Sequence, residues 1–344
     1  MPMPSLFDDP QELFTFCSVL HDNGNSDEAI ALMRQGLEER GSDPEMVATA
    51  HMFLAHNVHF YHRQMLADIP RNDAYDAMLK RQAPGRRILD IGTGTGLLAM
   101  MAVRAGAEHV YACEINPHKA DLAKTIIAQN GMEEKITLFC ANSLDLDRER
   151  DLDGGVDAVM SELYTADIIG ESLIQTHVHA QNELTLPGAI FLPPKVQIMG
   201  ALAECDLGDP IGDVAGFDLS LIEQRLNYYA LIEPYNALRY QRGPAHPLCD
   251  LNFLPDTPIK DRDRTITPLQ SNGGKVTGVL YWMRIHFGAD ILYENMPGGA
   301  RELHWAVRFE PFNEPRETAP GEPVEVGCAH NSNKVIIWDA SAAK

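Results

Sequence analysis

Between residues 9 and 81 the apolar positions recur every three or four residues, the spacing of helices with one buried face. Ser26, Glu28 and then Ile30, Leu32, Met33 and Leu37 predict one helix closing near Gly41, and Ser42-Asp43-Pro44 opens a second through His56. Such a pair is compatible with one tetratricopeptide-like repeat. A single repeat cannot bury its own face, so this block is expected to pack on the next domain or on a second subunit. From residue 82 to 193 the pattern changes. Short apolar runs near 87–91, 108–113, 135–140, 156–161 and 185–192 alternate with helical stretches near 96–105, 117–130 and 167–182. That alternation predicts a parallel sheet covered on both faces. Pro193-Pro194 marks a second change, after which Val196–Leu202, Val276–Phe287, Leu303–Phe309 and Val335–Trp338 read as strands between Pro- and Gly-rich loops. These predict an antiparallel barrel or sandwich. The expected division is a helical region 1–59, a sheet-and-helix domain 60–193 and a β-barrel-like domain 194–344.

The first strand of the middle domain ends in Asp90-Ile91-Gly92-Thr93-Gly94-Thr95-Gly96, and an amphipathic helix starts at Leu97. Glycines there let the backbone take positive φ and come close to a ligand. The second strand ends in Glu114, 18 residues after Gly96, where an acidic side chain holds a ribose hydroxyl pair in a doubly wound, Rossmann-like sheet. A nucleoside cofactor is therefore expected. Dinucleotide sites favour Gly-x-Gly-x-x-Gly, which seats a pyrophosphate on the helix N-terminus. Here the spacing is Gly-x-Gly-x-Gly behind Asp90, a carboxylate that repels a pyrophosphate and suits a cation. S-adenosylmethionine, with its sulfonium and ammonium groups, fits that preference; the plainer alternative is an acidic residue closing an ordinary turn.

Composition narrows the picture. The chain has 344 residues, enough for two domains, and 45% of them are hydrophobic. Six scattered cysteines, without a Cys-x-x-Cys pair, suggest neither a disulfide framework nor a cysteine zinc site. No apolar run reaches the roughly 18 residues of a membrane helix, and no basic-then-apolar leader is present, so a cytoplasmic protein is expected. A net charge of −21 disfavours nucleic acid and favours cationic partners, though acidity also serves solubility alone. His56, His59 and His62 recur at helical spacing; a solvated helix face explains them better than a metal, and no metal is expected.

The fourth strand, Val156–Met160, runs into Ser161-Glu162-Leu163-Tyr164-Thr165-Ala166-Asp167-Ile168-Ile169-Gly170-Glu171. Two glutamates nine residues apart flank a loop at the carboxyl end of a parallel strand, the rim where ligands bind. Converging carboxylates serve a divalent metal, a glycosidic acid–base pair or a guanidinium held bidentately. No further Asp or His stands nearby at a ligand spacing, and glycoside chemistry needs no sulfonium cofactor. One Glu capping the next helix and one merely exposed is the structural alternative.

From about residue 60 onward the chain resembles the protein arginine methyltransferase family. Glu162 and Glu171 resemble its double-Glu loop, Gly216-Phe217-Asp218-Leu219-Ser220 a signature after its sheet domain, and His304-Trp305 its Thr-His-Trp loop with Leu303 in place of threonine. Met65-Leu66-Ala67-Asp68-Ile69-Pro70-Arg71-Asn72 is similar to the helix that closes over the cofactor, with Phe60, Tyr61 and His62 at the preceding aromatic positions. Glu162-Leu163-Tyr164 and the Gly92–Met101 run most resemble the monomethylating (type III) branch. The resemblance implies a Rossmann-like S-adenosylmethionine domain followed by a β-barrel, and methyl transfer to a guanidino nitrogen of protein or peptide arginine. Free L-arginine or an arginine-like metabolite as acceptor, and a catalytically silent scaffold, are the alternatives. It also implies that Glu162 and Glu171 hold the guanidinium. Asp90, Gly92, Gly94, Gly96, Leu97 and Glu114 would bind the cofactor, with Arg71 on its carboxylate and Ser143 near adenine. His304 and Asp68 would pair to orient the loop and assist proton loss, and Met65 and Trp305 would contact substrate, with Met65 and Leu173 crowding the acceptor nitrogens. His304 is also readable as a packed core histidine. A dimerisation arm is expected within 221–242, and by analogy a homodimer.

Overall fold

The computed structural model describes residues 6–55, 61–208, 211–224, 229–255, 257–288 and 292–341. His56, His59, Phe60 and residues 225–228 of the expected arm lie outside them. The chain divides into two compact units, one made of Met1–Leu66 with Leu79–Ser161 and the other of Ala67–Met78 with Glu162–Lys344.

The first unit begins with three helices, α1 (Pro10–Asp22), α2 (Ser26–Arg40) and α3 (Pro44–Leu54). Asp9 and Asp43 cap α1 and α3 by accepting from backbone N–H groups, each ahead of a proline whose missing N–H costs the first turn nothing. The sequence pattern identifies α2 and α3; α1 completes their core, which buries Leu13, Cys17, Ile30, Met33, Met46 and Phe53. Gly36 is a packing requirement there, because a Cβ would stand 2.6 Å from Leu13. Next come α4 (Tyr61–Ala67) and α5 (Ile69–Gln82).

Strands β1 (Arg87–Ile91), β2 (His109–Glu114), β3 (Ile136–Cys140) and β4 (Val156–Ser161) follow, with α6 (Leu97–Arg104), α7 (Pro117–Gln129) and the short α8 (Arg148–Asp151) in their connections. The strands pair in parallel in the order β3-β2-β1-β4, with Leu89 facing both Tyr111 and Val159. Parallel neighbours need crossovers, and α6 and α7 supply them. The order reverses beside β1, so the binding crevice of this sheet opens at the carboxyl ends of β1 and β4. The helical block docks on α7 through Arg34–Asp121, at 2.6 Å, and through His21 and Phe53 against the His118 ring. That answers where the N-terminal helices bury their outer face.

The second unit contains α9 (Leu173–His179), β5 (Thr185–Leu192), which ends at the cis peptide Leu192–Pro193, and β6 (Lys195–Ala203). A two-strand hairpin, β7 (Asp213–Val214) with β8 (Phe217–Asp218), precedes β9 (Ala230–Ile232), α10 (Pro234–Ala237) and β10 (His246–Asn252). The long β11 (Asp263–His286) and β13 (Val307–His330), with β12 (Leu292–Glu294) and β14 (Val335–Asp339), complete an antiparallel sheet ordered β10-β6-β11-β13-β14, β9 pairing on β13 and β12 on β11. Its core buries Met199, Ala201, Leu280, Trp282, Val307 and Phe309. The segment 221–242, expected to hold a dimerisation arm, contains most of one 3-10 turn (Ser220–Gln224), a second (Leu238–Tyr240), a short strand and one turn of helix among the described residues.

Candidate active site

In the first unit, Gly92, Gly94 and Gly96 have φ of +73°, +57° and +79°, as the turn between β1 and α6 requires. They are glycines for different reasons. A Cβ on Gly96 would press on Ile127 at 3.1 Å, whereas one on Gly94 would meet only the Gly92 carbonyl, at 3.9 Å. Among the described residues nothing else stands within 4 Å of that Cβ position, which fits a ligand rather than core packing. Asp90, almost fully buried, accepts a 2.6 Å hydrogen bond from the Thr93 hydroxyl. Glu114, also buried, accepts from the Gly94 N–H at 3.1 Å and the Asn116 N–H at 2.9 Å, and Lys119 Nζ stands 3.4 Å away. Oε2, which takes the Gly94 N–H, keeps a second lone pair for a hydroxyl donor. Ser143 is buried in a 3-10 turn capped by Asn142, Leu97 opens α6, and Met65 is half-buried on α4. These residues fit the nucleoside end and the cationic end of S-adenosylmethionine: carboxylates where hydroxyl and ammonium donors need acceptors, and an open backbone cradle between them.

In the second unit, Asp68 organises the other predicted residues. It precedes α5, and its Oδ1 accepts the Arg71 N–H at 2.9 Å in an N-cap. Its Oδ2 accepts from the Tyr293 hydroxyl at 2.7 Å, the His304 N–H at 3.0 Å and His304 Nδ1 at 2.8 Å. Burial by itself would raise the Asp68 carboxyl; these hydrogen bonds, led by His304, hold it below the usual range. Burial pushes His304 below the ordinary histidine range, against the pull of Asp68. An imidazole giving its Nδ1 proton to Asp68 keeps Nε2 as a base. The His304 ring lies 3.8 Å from that of Trp305, and Asn295 donates to the carbonyls of Trp305 and Ala306, pinning the turn.

Arg71 and Glu162 come together. Arg71 Nε donates to Glu162 Oε1 at 2.9 Å and its Nη2 pairs with Oε2, a side-on fork with both side chains about 5% exposed or less. Its Nη1 donates to Asn72 Oδ1 at 2.6 Å, and Cζ lies 5.0 Å from the Tyr75 ring centroid. Beyond Glu162 the loop turns tightly. Thr165 accepts from the Ile168 N–H, and Ile168, Glu171 and Ser172 take φ of +67°, +46° and +59°. Gly170 allows this turn, because a Cβ would lie 2.3 Å from Thr165. Glu171 is exposed, and Leu173 just after it is fully buried. The structure thus joins Asp68, Arg71, Glu162, His304 and Trp305 in one network, and sets Glu171 on the loop's exposed turn.

Sequence reasoning missed Tyr293 and Asn295, whose partners lie far along the chain, and Tyr164, whose buried hydroxyl has no hydrogen-bond partner among the described residues. The spacing of Tyr164, two residues past Glu162, was the one available signal. His62 is buried and stacks on Tyr61 at 4.2 Å, unlike the solvated face expected of it, and the described residues contain no cluster suited to a metal ion.

Known proteins resemble this chain in the same regions. A family model of ribosomal protein L11 methyltransferases (PrmA) matches residues 73–190. An arginine N(omega)-methyltransferase of Streptomyces achromogenes subsp. streptozoticus is 32% identical over 309 residues, covering 87% of this chain and 83% of the relative. Protein arginine N-methyltransferase 7 of Aedes aegypti is 30% identical over 63% of this chain, which spans only 36% of that longer protein. Among solved structures, the Trypanosoma brucei PRMT1 enzyme–prozyme heterotetrameric complex with AdoHcy superposes with a TM-score of 0.67 over 78% of this chain and 86% of the other, at 20% identity, a likeness of fold. With a match that spans most of both the Streptomyces enzyme and this protein, the chain belongs to the arginine N-methyltransferase family.

Proposed function

We propose that this S-adenosylmethionine-dependent enzyme methylates a terminal guanidino nitrogen of arginine, with Glu162 and Glu171 holding the acceptor. The observation that carries this reading is the buried Glu162 carboxylate, which holds one guanidinium, that of Arg71, side-on through two nitrogens; an acceptor guanidinium takes that place when Arg71 turns to the cofactor carboxylate. Arginine is charged at any physiological pH, and its delocalised lone pairs are poor nucleophiles. Two carboxylates offset its repulsion from a sulfonium and fix one nitrogen for in-line attack, so that positioning and electrostatics supply the rate. When bound, the cofactor supplies an electrophilic methyl group. Asp90, Gly92, Gly94, Gly96, Leu97, Glu114 and Ser143 would hold its methionine and nucleoside parts, with Arg71 reaching its carboxylate. His304, kept neutral by burial, takes up the proton that leaves the methylated guanidinium, and Asp68 orients it and balances its charge. Trp305 and Leu173 are assigned to the acceptor side, and the resemblance to the monomethylating branch favours a single methyl.

Protein or peptide arginine is the first acceptor reading, supported by the family's protein-modifying relatives. Free L-arginine is the second. It is favoured because the relative matching most of this chain is named for arginine and not for protein arginine. We place the enzyme in the cytoplasm as a homodimer. In support, no helix among the described residues is long and apolar enough to cross a membrane, and Leu221, Leu231 and Leu238 expose more than half of their surface in the segment expected to serve as an arm. Mass spectrometry with labelled S-adenosylmethionine, on free L-arginine and an Arg-Gly-rich peptide in parallel, tests this. Label on a guanidino nitrogen of either is the expected result and decides between acceptors; label on neither rejects the reading.

A further inference from the structure

The loop that carries both glutamates is restrained from a distant strand. Asp167, midway along it, forms an ion pair with Nη1 of Arg308 on β13. The Arg308 side chain is nearly buried, its Nε is 3.6 Å from Glu310, and its guanidinium carbon lies 4.0 Å from the Tyr229 ring centroid and 5.8 Å from that of Tyr281. The Arg308 backbone stands opposite Leu231 of β9, with Val307 facing Ile232 and Phe309 facing Ala230. One residue therefore takes the acceptor loop on its guanidinium edge, and the segment around β9 on its guanidinium face and its backbone. That segment exposes Phe217, Leu219, Leu221, Ile222, Leu231 and Leu238.

The position of this restraint matters. Ile168, Glu171 and Ser172, just after Asp167, take left-handed backbone that only glycine adopts without cost. Such conformations persist only where their surroundings over-determine them. Within the loop, Asp167 receives one hydrogen bond from Ile169 and gives one to the Thr165 hydroxyl. The charged tether to Arg308 comes from outside.

We propose that Arg308 is a positioning residue for the acceptor loop, and that Tyr229 makes its hold depend on the state of the exposed apolar segment 214–238. This rests on the arginine-methylation reading. Loss of the tether lets the backbone at Glu171 relax, which opens the acceptor fork while Asp90, Gly94 and Glu114 keep their own contacts.

The test uses full-length Arg308→Gln, Asp167→Asn, their double variant, Tyr229→Leu and Tyr229→Phe. Initial rates are taken with labelled S-adenosylmethionine on free L-arginine and on an Arg-Gly-rich peptide, and cofactor affinity is taken by calorimetry. Asp167 is half-exposed, so Asp167→Asn reports even if Arg308→Gln folds poorly. Each single variant of the ion pair is expected to lose roughly ten- to a hundredfold in acceptor kcat/KM, with cofactor Kd unchanged. The double variant is expected to be no worse than the poorer single, as for one shared interaction. Tyr229→Leu is expected to lose several-fold, and Tyr229→Phe to recover it. Losses that multiply in the double variant, an equal loss of cofactor affinity, or an active wild type beside a fully active Asp167→Asn overturn the positioning role. Tyr229→Leu at wild-type rate overturns the link to the segment. A wild type inactive on both acceptors overturns the methylation reading instead.

Discussion

The turn after β1 and the loop after β4 both run through left-handed backbone, but with different residues. The first uses Gly92, Gly94 and Gly96; the second uses Ile168, Glu171 and Ser172. Glycine takes such angles freely and leaves room for something else, here above Gly94, where among the described residues only the Gly92 carbonyl comes within 4 Å of a Cβ. The loop keeps side chains at the same angles, each at roughly 1–3 kcal/mol, because the side chain itself is needed. Backbone is the working part of one region, and carboxylate is the working part of the other. The cost of the second is met by tight local bonding at Thr165 and Gly170 and by Arg308.

Substitutions at the carboxylates test this contrast most strongly. Glu162→Gln removes one partner of a buried ion pair, so it is expected to cut turnover about a thousandfold and to cost about 3–5 kcal/mol of unfolding free energy by urea titration. An unchanged melting curve would mean that Arg71 finds another partner. Glu171→Gln is expected to match the loss of turnover, at roughly 10²–10³-fold, with cofactor binding retained and stability within about 0.5 kcal/mol. Equal destabilisation by both would erase the distinction between a buried and an exposed glutamate.

The glycines separate next. Gly94→Ala is expected to weaken cofactor binding about tenfold or more, since its Cβ enters the cradle, while stability falls only by the roughly 1 kcal/mol of left-handed alanine. Gly96→Ala is expected to lose more stability through its contact with Ile127. Calorimetry and thermal melts on both variants check the split, and the reverse ranking would place the ligand elsewhere.

The smallest expected effect is in pH. The Asp68 carboxyl is held low in the folded chain, so its contribution is present above the ordinary carboxylate range and is lost as pH falls through the folded value. His304 is also held low, so below about pH 6.5 the unfolded chain gains a proton that the folded one refuses. Both effects make acid destabilising. The stability gap between wild type and Asp68→Asn is expected to shrink between about pH 5 and pH 3, and a constant gap would remove ionised Asp68 from the account.

The glycine turn was legible in the sequence because all of its determinants fall within one strand–turn–helix unit. Gly92 to Gly96 declare the turn, and Glu114 closes the next strand. The two glutamates were legible as a pair by spacing, but their unequal settings were not. Glu162 is buried by Arg71, 91 residues earlier, and nothing local to Glu171 announces positive φ in a residue that normally avoids it. In the 221–242 segment the described residues include a short strand, Ala230–Ile232, and a turn of helix, Pro234–Ala237, which scattered apolar residues do not announce. Leu303, where the resemblance expected threonine, is buried, and Tyr293 and the His304 backbone join in binding Asp68.

Asp68 also sets an order of assembly. It is made early, yet its partners Tyr293 and His304 lie 225 and 236 residues further on. At ribosomal speeds of about 5–20 residues per second, its carboxylate waits some 10–50 s for them. Within that interval the glycine turn and its four parallel strands are completed on the nascent chain, while Ala67–Met78 still lacks the Tyr293 and His304 partners of Asp68. Synthesis that stalls before Tyr293 yields a chain that holds Asp90, the three glycines and Glu114 but neither Tyr293 nor His304 to meet Asp68.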